Sequence, residues 1–201
     1  LDRPIIPYSI ELAISTNLFD EIIVSTDDKE IAEIAKGFGA KVPFFRSAKA
    51  SNDFATTKDV LDEVLNEYSL SGIQFKELLC LYPTSILSKK EDLIKANIKL
   101  KDFKTVLAVT KFSYPPQRGF KLNSKNNLEY LFPEFINSRS QDLSPWFHDA
   151  GQWCWYNLIN GKVDNDKSEI GFVELSNLAV QDIDTLEDWR IAEIKYKINK
   201  I

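Results

Sequence analysis

The feature that most constrains this chain is an alternation of amphipathic helical stripes with short apolar runs. Residues 7–17 carry Ile10, Ala13 and Ile14 at helical spacing, with Leu18 just beyond on the same stripe, and the run EIIVS at 21–25 follows as a strand. Asp27 or Asp28 can cap the next helix, whose stripe is Ile31, Ile34, Ala35 and Phe38, bounded by Gly37 and Gly39. A strand is expected over 41–45. Thr56 or Thr57 then opens a helix bearing Val60, Leu61, Val64 and Leu65, and the apolar run ELLCLY at 77–82 is closed by Pro83. A helix over about 89–101 and a strand over 105–110 continue the rhythm. Continuous apolar strands between helices argue for a mostly parallel sheet covered on both faces, a three-layer α/β sandwich. Ligands of such sheets sit at the carboxyl ends of the strands. Here those ends are Ser25-Thr26-Asp27, Arg46, the stretch Tyr82-Pro83-Thr84-Ser85, and Thr110.

The rhythm breaks over residues 111–156, with Pro115-Pro116, a hairpin expected around Asn123 to Asn127, and a surplus of aromatics. This reads as an inserted subdomain within a single domain spanning 1–201. Phe132, Phe135, Trp146, Phe147, Trp153, Trp155 and Tyr156 suit either a subunit interface or a core. A polar turn at 164–167 leads to a last strand, 171–175, and then to QDIDTLEDW at 181–189.

Charge and composition narrow the function. A net charge of -5 without a basic block disfavours nucleic acid as partner. No run approaches the ~18 apolar residues of a membrane span, and no basic-then-apolar leader is visible, so a cytoplasmic protein is expected. Cys80 and Cys154 have no zinc or disulfide spacing. Lone His148 lacks a nucleophile elbow upstream, which argues against hydrolase chemistry. An acidic protein that handles anions needs focused arginines or a divalent cation. Arg46 at a sheet edge, and Arg118 and Arg139 in the irregular segment beside Gln117 and Gln141, are the candidate arginines.

Asp182 and Asp184 flank one isoleucine. On extended backbone, i and i+2 share a face, so the two carboxylates can present oxygens to one Mg²⁺ or Mn²⁺. The same residues also read as a helix start, with Asp184 and Glu187, or Thr185 and Asp188, as a capping box.

Several stretches together, KVPFFRSAKASNDFATT, LYPTSIL, NSRSQDLSPWFHDAG and VQDIDTLEDW, with RPIIPYSIELAIS and FDEIIVSTDD, resemble the CMP-sialic-acid synthetase (acylneuraminate cytidylyltransferase) family, most closely its pseudaminic acid branch. The resemblance spans nearly the whole chain. It implies a Rossmann-like nucleotidyltransferase of the nucleotide-diphospho-sugar transferase type, dimeric through the insert, that couples CTP to a nine-carbon keto-sugar acid and releases pyrophosphate. By position it places Arg46, Ala55 and Thr57 around cytosine, with Ser25 and Asp27 at the same sheet edge. Tyr82, Thr84 and Ser85 line the sugar site; Arg118, Arg139 and Gln141 face sugar or triphosphate, with Arg139 reaching the partner subunit's site; His148 lies against the sugar; and Asp182 and Asp184 hold the metal. Tyr82 stands where sialic-acid-type members usually carry glutamine, which favours pseudaminic acid over neuraminic, legionaminic or another keto-sugar acid. The family's first strand and triphosphate loop are expected ahead of Leu1, and the chain has no methionine. Two other classes stay open: a GT-A glycosyltransferase, whose metal-binding aspartates usually fall mid-chain, and a non-catalytic nucleotide-sugar binding module.

Overall fold

The computed structural model describes residues 3–164 and 168–199, so most of the polar turn expected at 164–167 lies outside the described residues. Helix α1 (Ile6–Thr16) opens on Pro7 and ends at Asn17, whose left-handed φ of 55° returns its N–H to the Ile14 carbonyl. Arg3 locks its first turns by a two-pronged contact with Glu11 at 2.7 Å, its guanidinium lying over the Tyr8 ring. α2 (Lys29–Gly37) is capped by Asp28, which accepts from the N–H groups of Glu30 and Ile31. α3 (Thr57–Leu70) begins with a capping box between Thr56 and Asp59.

The sheet departs from the expected mostly parallel pattern. Its order is β1 (Glu77–Leu81), β5 (Phe147–Ile159), β2 (Thr105–Lys111), β7 (Ile170–Glu174). β5 runs antiparallel between β1 and β2, and only β2 and β7 pair in parallel. The sheet is therefore mixed, because the tail of the supposedly irregular segment is its central strand. Continuous apolar character marks a strand buried on both faces, and it does so whichever way the strand points. The irregular part narrows to the stretch before Phe147, which holds the hairpin of β3 (Phe120–Leu122) and β4 (Leu128–Tyr130). Segments 21–25 and 41–45 touch by a single parallel bridge, Ile23 to Lys41, rather than as two full strands.

One sheet face packs on α1 and α4 (Lys90–Lys99), uniting Leu93, Ala96 and Leu100 with Val106, Ala108, Val173 and Leu175. Trp153 and Trp155, 1% and 2% exposed, fill the middle of this core, and Phe19 stacks on Trp155. Those two aromatics are core, whereas Phe132 packs against Phe135 and Trp146 outside the sheet. β5 turns into β6 (Lys162–Val163) through Asn160 and Gly161, both at positive φ as a tight hairpin with the twist of its strands requires. No helix among the described residues is long and apolar enough to cross a membrane.

Candidate active site

Three chain segments meet at the carboxyl end of β1. Past Leu81, the Tyr82 N–H donates to the Gln152 carbonyl at 3.0 Å, and the Ser85 hydroxyl, buried, donates to the same oxygen. Ser9 of α1 supports this loop from behind, its hydroxyl donating to the Tyr82 carbonyl at 3.0 Å. Thr57, at the first turn of α3, lies 3.3 Å from the Tyr82 phenol oxygen, so the start of α3 and the end of β1 are joined. Burial is the main cause that pushes the Tyr82 phenol above its ordinary pKa, keeping it protonated and able to donate.

The second segment is a distortion in β5. Leu107 pairs with Cys154 and Val109 with Asp149, so Ala108 alone faces residues Ala150 to Trp153. Gly151 stands inside this bulge at φ 61°, and its N–H donates to the Asp149 carboxylate at 2.8 Å. A Cβ at Gly151 would lie 3.8 Å from the Asp182 carboxylate, which places Asp149 and Asp182 on the two sides of one glycine. His148 packs on the Phe112 ring, with Nδ1 2.8 Å from the Asp149 carbonyl. A carbonyl only accepts, so Nδ1 carries the proton and Nε2 presents a lone pair in the neutral ring.

The third segment is QDIDT. Thr185 is the N-cap of α5 (Leu186–Ile198): its hydroxyl oxygen accepts from the Asp188 N–H at 3.2 Å while Asp188 accepts from the Thr185 N–H at 2.9 Å. Of the two boxes the sequence offers, only Thr185 with Asp188 forms. The carboxylates of Asp182 and Asp184 stay exposed and accept no hydrogen bond among the described residues, while Ile183 turns inward beside Ile5, Tyr8 and Trp189. Two exposed carboxylates two residues apart are donors of the kind a small hard cation accepts, with the remaining positions left to water and phosphate. No group of three or more acidic, His or Cys side chains that could hold a metal gathers among the described residues, so the two aspartates alone would not complete a coordination shell. α5 secures this segment from its far end, where the Lys195 ammonium donates to the Val180 carbonyl at 2.6 Å.

A fourth cluster lies where segments 21–25 and 41–45 meet, outside the main sheet. The Arg46 N–H donates to the Thr26 carbonyl at 2.9 Å, and its guanidinium Nη2 stands 3.9 Å from Asp27. Arg46 Nε and the Ser25 hydroxyl are buried without a hydrogen-bond partner among the described residues. Buried donors are seldom left unmet, and those that are mark places where a ligand or water supplies the acceptor. Ala55 closes a turn from Asn52 just before the Thr56 cap.

Arg118, Arg139 and Gln141 gather in the lobe before β5. The Arg118 guanidinium reaches the Ser140 hydroxyl at 3.2 Å, and Gln141 lies in the short 3₁₀ turn Ser140–Asp142. Arg139 is held by Asp142 through two contacts of 2.8 and 3.2 Å. Among the described residues no hydrogen bond or ion pair joins these arginines to Asp182 or Tyr82. Sequence reading missed Gly151, Gln152 and Gln181, although a glutamine inside the apolar run AGQWCW was a signal: a buried amide needs bonds to make.

The chain resembles the structure of CMP:2-keto-3-deoxy-manno-octonic acid synthetase complexed with CTP, with a TM-score of 0.65 at 15% identity over 98% of this chain and 88% of that one. The mixed α/β fold is thus one found among nucleotidyltransferases. Residues 1–127 match the cytidylyltransferase family model. The chain is also 38% identical to the pseudaminic acid cytidylyltransferase of Campylobacter jejuni, over 99% of this chain and 88% of the relative. It is 32% identical to a Helicobacter pylori protein named as pseudaminic acid cytidylyltransferase and UDP-2,4-diacetamido-2,4,6-trideoxy-beta-L-altropyranose hydrolase, over 96% of this chain and 37% of that protein. The chain belongs to the cytidylyltransferase family.

Proposed function

We propose that this enzyme couples CTP to a nonulosonic acid, with pseudaminic acid as the sugar, giving the CMP-sugar and pyrophosphate. The observation that carries this reading is that similarity to the Campylobacter enzyme runs over 99% of the chain. It therefore includes the stretch beyond the family model's residues 1–127, where Arg139, Gln141, His148 and the aspartate pair lie. A shared nucleotide-binding part alone would leave the acceptor open.

In the reaction the anomeric oxygen of the sugar forms a bond to the α-phosphorus, the bond from that phosphorus to the pyrophosphate oxygen breaks, and the hydroxyl proton is released. In-line displacement of this kind asks for positioning and charge neutralisation rather than a covalent group. Arg46 and Ser25, with their unmet buried donors, hold the base, with Ala55, Thr57 and Asp27 around it. Tyr82 and Thr84 hold the sugar on a loop that the buried Ser85 fixes through the Gln152 carbonyl and that the Thr57 contact braces. Asp182 and Asp184 would hold Mg²⁺ or Mn²⁺, which when bound neutralises charge on the phosphates and lowers the pKa of a coordinated hydroxyl. Support for that role is the α5 cap, which Thr185 and Asp188 complete without either aspartate. His148 offers Nε2 as an acceptor toward a sugar hydroxyl. Arg118, Arg139 and Gln141 meet the sugar carboxylate and the phosphates in a cytoplasmic homodimer on a Rossmann-like frame, with Arg139 exchanging Asp142 for the partner's substrate. The exposed apolar side chains of the lobe, Phe120, Leu122, Leu128 and Leu131, support its use as the dimer contact.

The test is pyrophosphate release from CTP with Mg²⁺ and a panel of pseudaminic, neuraminic and legionaminic acids and a shorter keto-sugar acid. Selective turnover of pseudaminic acid is expected. Preference for another sugar overturns the assignment, and CTP binding without release for every sugar makes the protein a binding module.

A further inference from the structure

We infer that Gln152 is a positioning residue that sets where the Asp182–Asp184 pair stands relative to the sugar-binding loop; the inference rests on the metal-pair reading above. Gln152 is fully buried, at 0% exposure, at the inner side of the β5 bulge. Its side-chain Nε2 faces the carbonyls of Ala150 at 3.2 Å, Gly151 at 3.4 Å and Gln181 at 3.4 Å. Its own carbonyl receives the Tyr82 N–H and the Ser85 hydroxyl. One residue is thus bonded to all three segments that meet at the end of β1.

The connection continues to the aspartates. Gln181, whose carbonyl Gln152 holds, donates its side-chain N–H groups to the Asp182 carbonyl at 2.9 Å and to Asp188 at 3.1 Å. The Asp182 carboxylate stands beside β5, 3.8 Å from where a Cβ of Gly151 would lie, and the Gln152 amide links the neighbouring Gln181 carbonyl to the bulge. A side chain needed only for volume in this core would be apolar. The amide instead leaves its Oε1 without a partner among the described residues, a burial penalty that packing does not require. Groups that orient a metal ligand change metal affinity about 10–100-fold when removed, and sub-ångström placement governs in-line attack.

The test compares wild type, Gln152→Met, Gln152→Glu and Asp184→Asn, each checked for folding by circular dichroism and thermal melting. Methionine keeps length and volume without donors; glutamate keeps shape and, ionised, also lacks them. Binding of Mn²⁺ is titrated by its paramagnetic resonance signal in the presence of CTP and without sugar, so no turnover is involved. Folded Gln152 variants should bind Mn²⁺ at least about 10-fold more weakly than wild type, and kcat should fall with little change in the sugar KM. Mn²⁺ affinity within twofold of wild type in a folded Gln152 variant overturns the positioning role while leaving the metal pair intact. Equal Mn²⁺ binding by wild type and Asp184→Asn removes the metal reading, and this inference with it.

Discussion

Asp184→Asn set against Thr185→Ala separates the two roles that the QDIDT segment could play. The cap of α5 is a reciprocal pair: the Thr185 hydroxyl oxygen accepts the Asp188 N–H at 3.2 Å, and Asp188 accepts from the Thr185 N–H at 2.9 Å and its hydroxyl at 2.6 Å. Thr185→Ala removes the side-chain half of this box, which costs about 1–2 kcal/mol. For a domain of this size that lowers Tm by about 2–8 °C. Asp184 contributes to the box only a backbone N–H, 3.4 Å from Asp188, which asparagine keeps. Its stability should stay within about 0.5 kcal/mol of wild type. Turnover should behave in the opposite way. Asparagine halves the carboxylate charge offered to the metal, and since orienting groups alone are worth 10–100-fold, loss of a direct ligand should cost at least about 100-fold, or about 2.7 kcal/mol of barrier. The assay is pyrophosphate release per folded molecule across a Mg²⁺ titration, beside a melting curve. If Asp184→Asn melts early and keeps full activity per folded molecule, the pair is structural and the reasoning fails.

Further expectations follow from particular contacts. Tyr82→Phe removes the phenol's 3.3 Å contact with Thr57 and should raise the sugar KM with a stability change of about 1 kcal/mol or less, measurable by steady-state kinetics and denaturant unfolding. Gly151→Ala places a side chain at φ 61°, which should cost about 1–2 kcal/mol and show as a Tm loss of a few degrees; an unchanged Tm would mean the bulge relaxes freely. Asp59 and Asp188 are both held below the ordinary carboxylate pKa, first of all by the side-chain hydroxyls they bond, Thr56 and Thr185. A depressed folded pKa adds stability that is fully present above the unfolded value of about 3.9 and lost as pH falls through the folded value. The melting temperature should therefore drop below about pH 4, and less steeply in Asp59→Asn/Asp188→Asn. Cys80 and Cys154 face each other across β1 and β5, and burial pushes their thiols up to about 11 and about 12. Both should react with iodoacetamide at pH 8 far more slowly in the folded protein than in urea.

Most element positions were legible because they depend on neighbours close in sequence. The apolar runs at 77–82 and 105–110, the Thr56 and Thr185 starts, and the hairpin near Asn123 all follow from periodicity, caps and turn residues. Burial faces were less secure: Ile14 and Leu18 of the α1 stripe are exposed, while Ser9 and Thr16 are buried, since the neighbouring elements decide which side of a helix is covered.

The sequence by itself determined the α/β class, the family and the residue types gathered at the strand ends, because these reside in local pattern and in motifs read in order. It left two capping boxes open around the aspartates, and its apolar runs argued for a mostly parallel sheet that the fold does not have, since strand direction depends on partners far along the chain. Only the tertiary structure set β5 antiparallel in the middle of the sheet and gave the cap to Thr185 and Asp188. It also closed Gln152 onto Tyr82, Ser85 and Gln181. The physical reason is that buried donors and acceptors must be paired wherever the fold brings them together, and here it brought them from segments tens of residues apart.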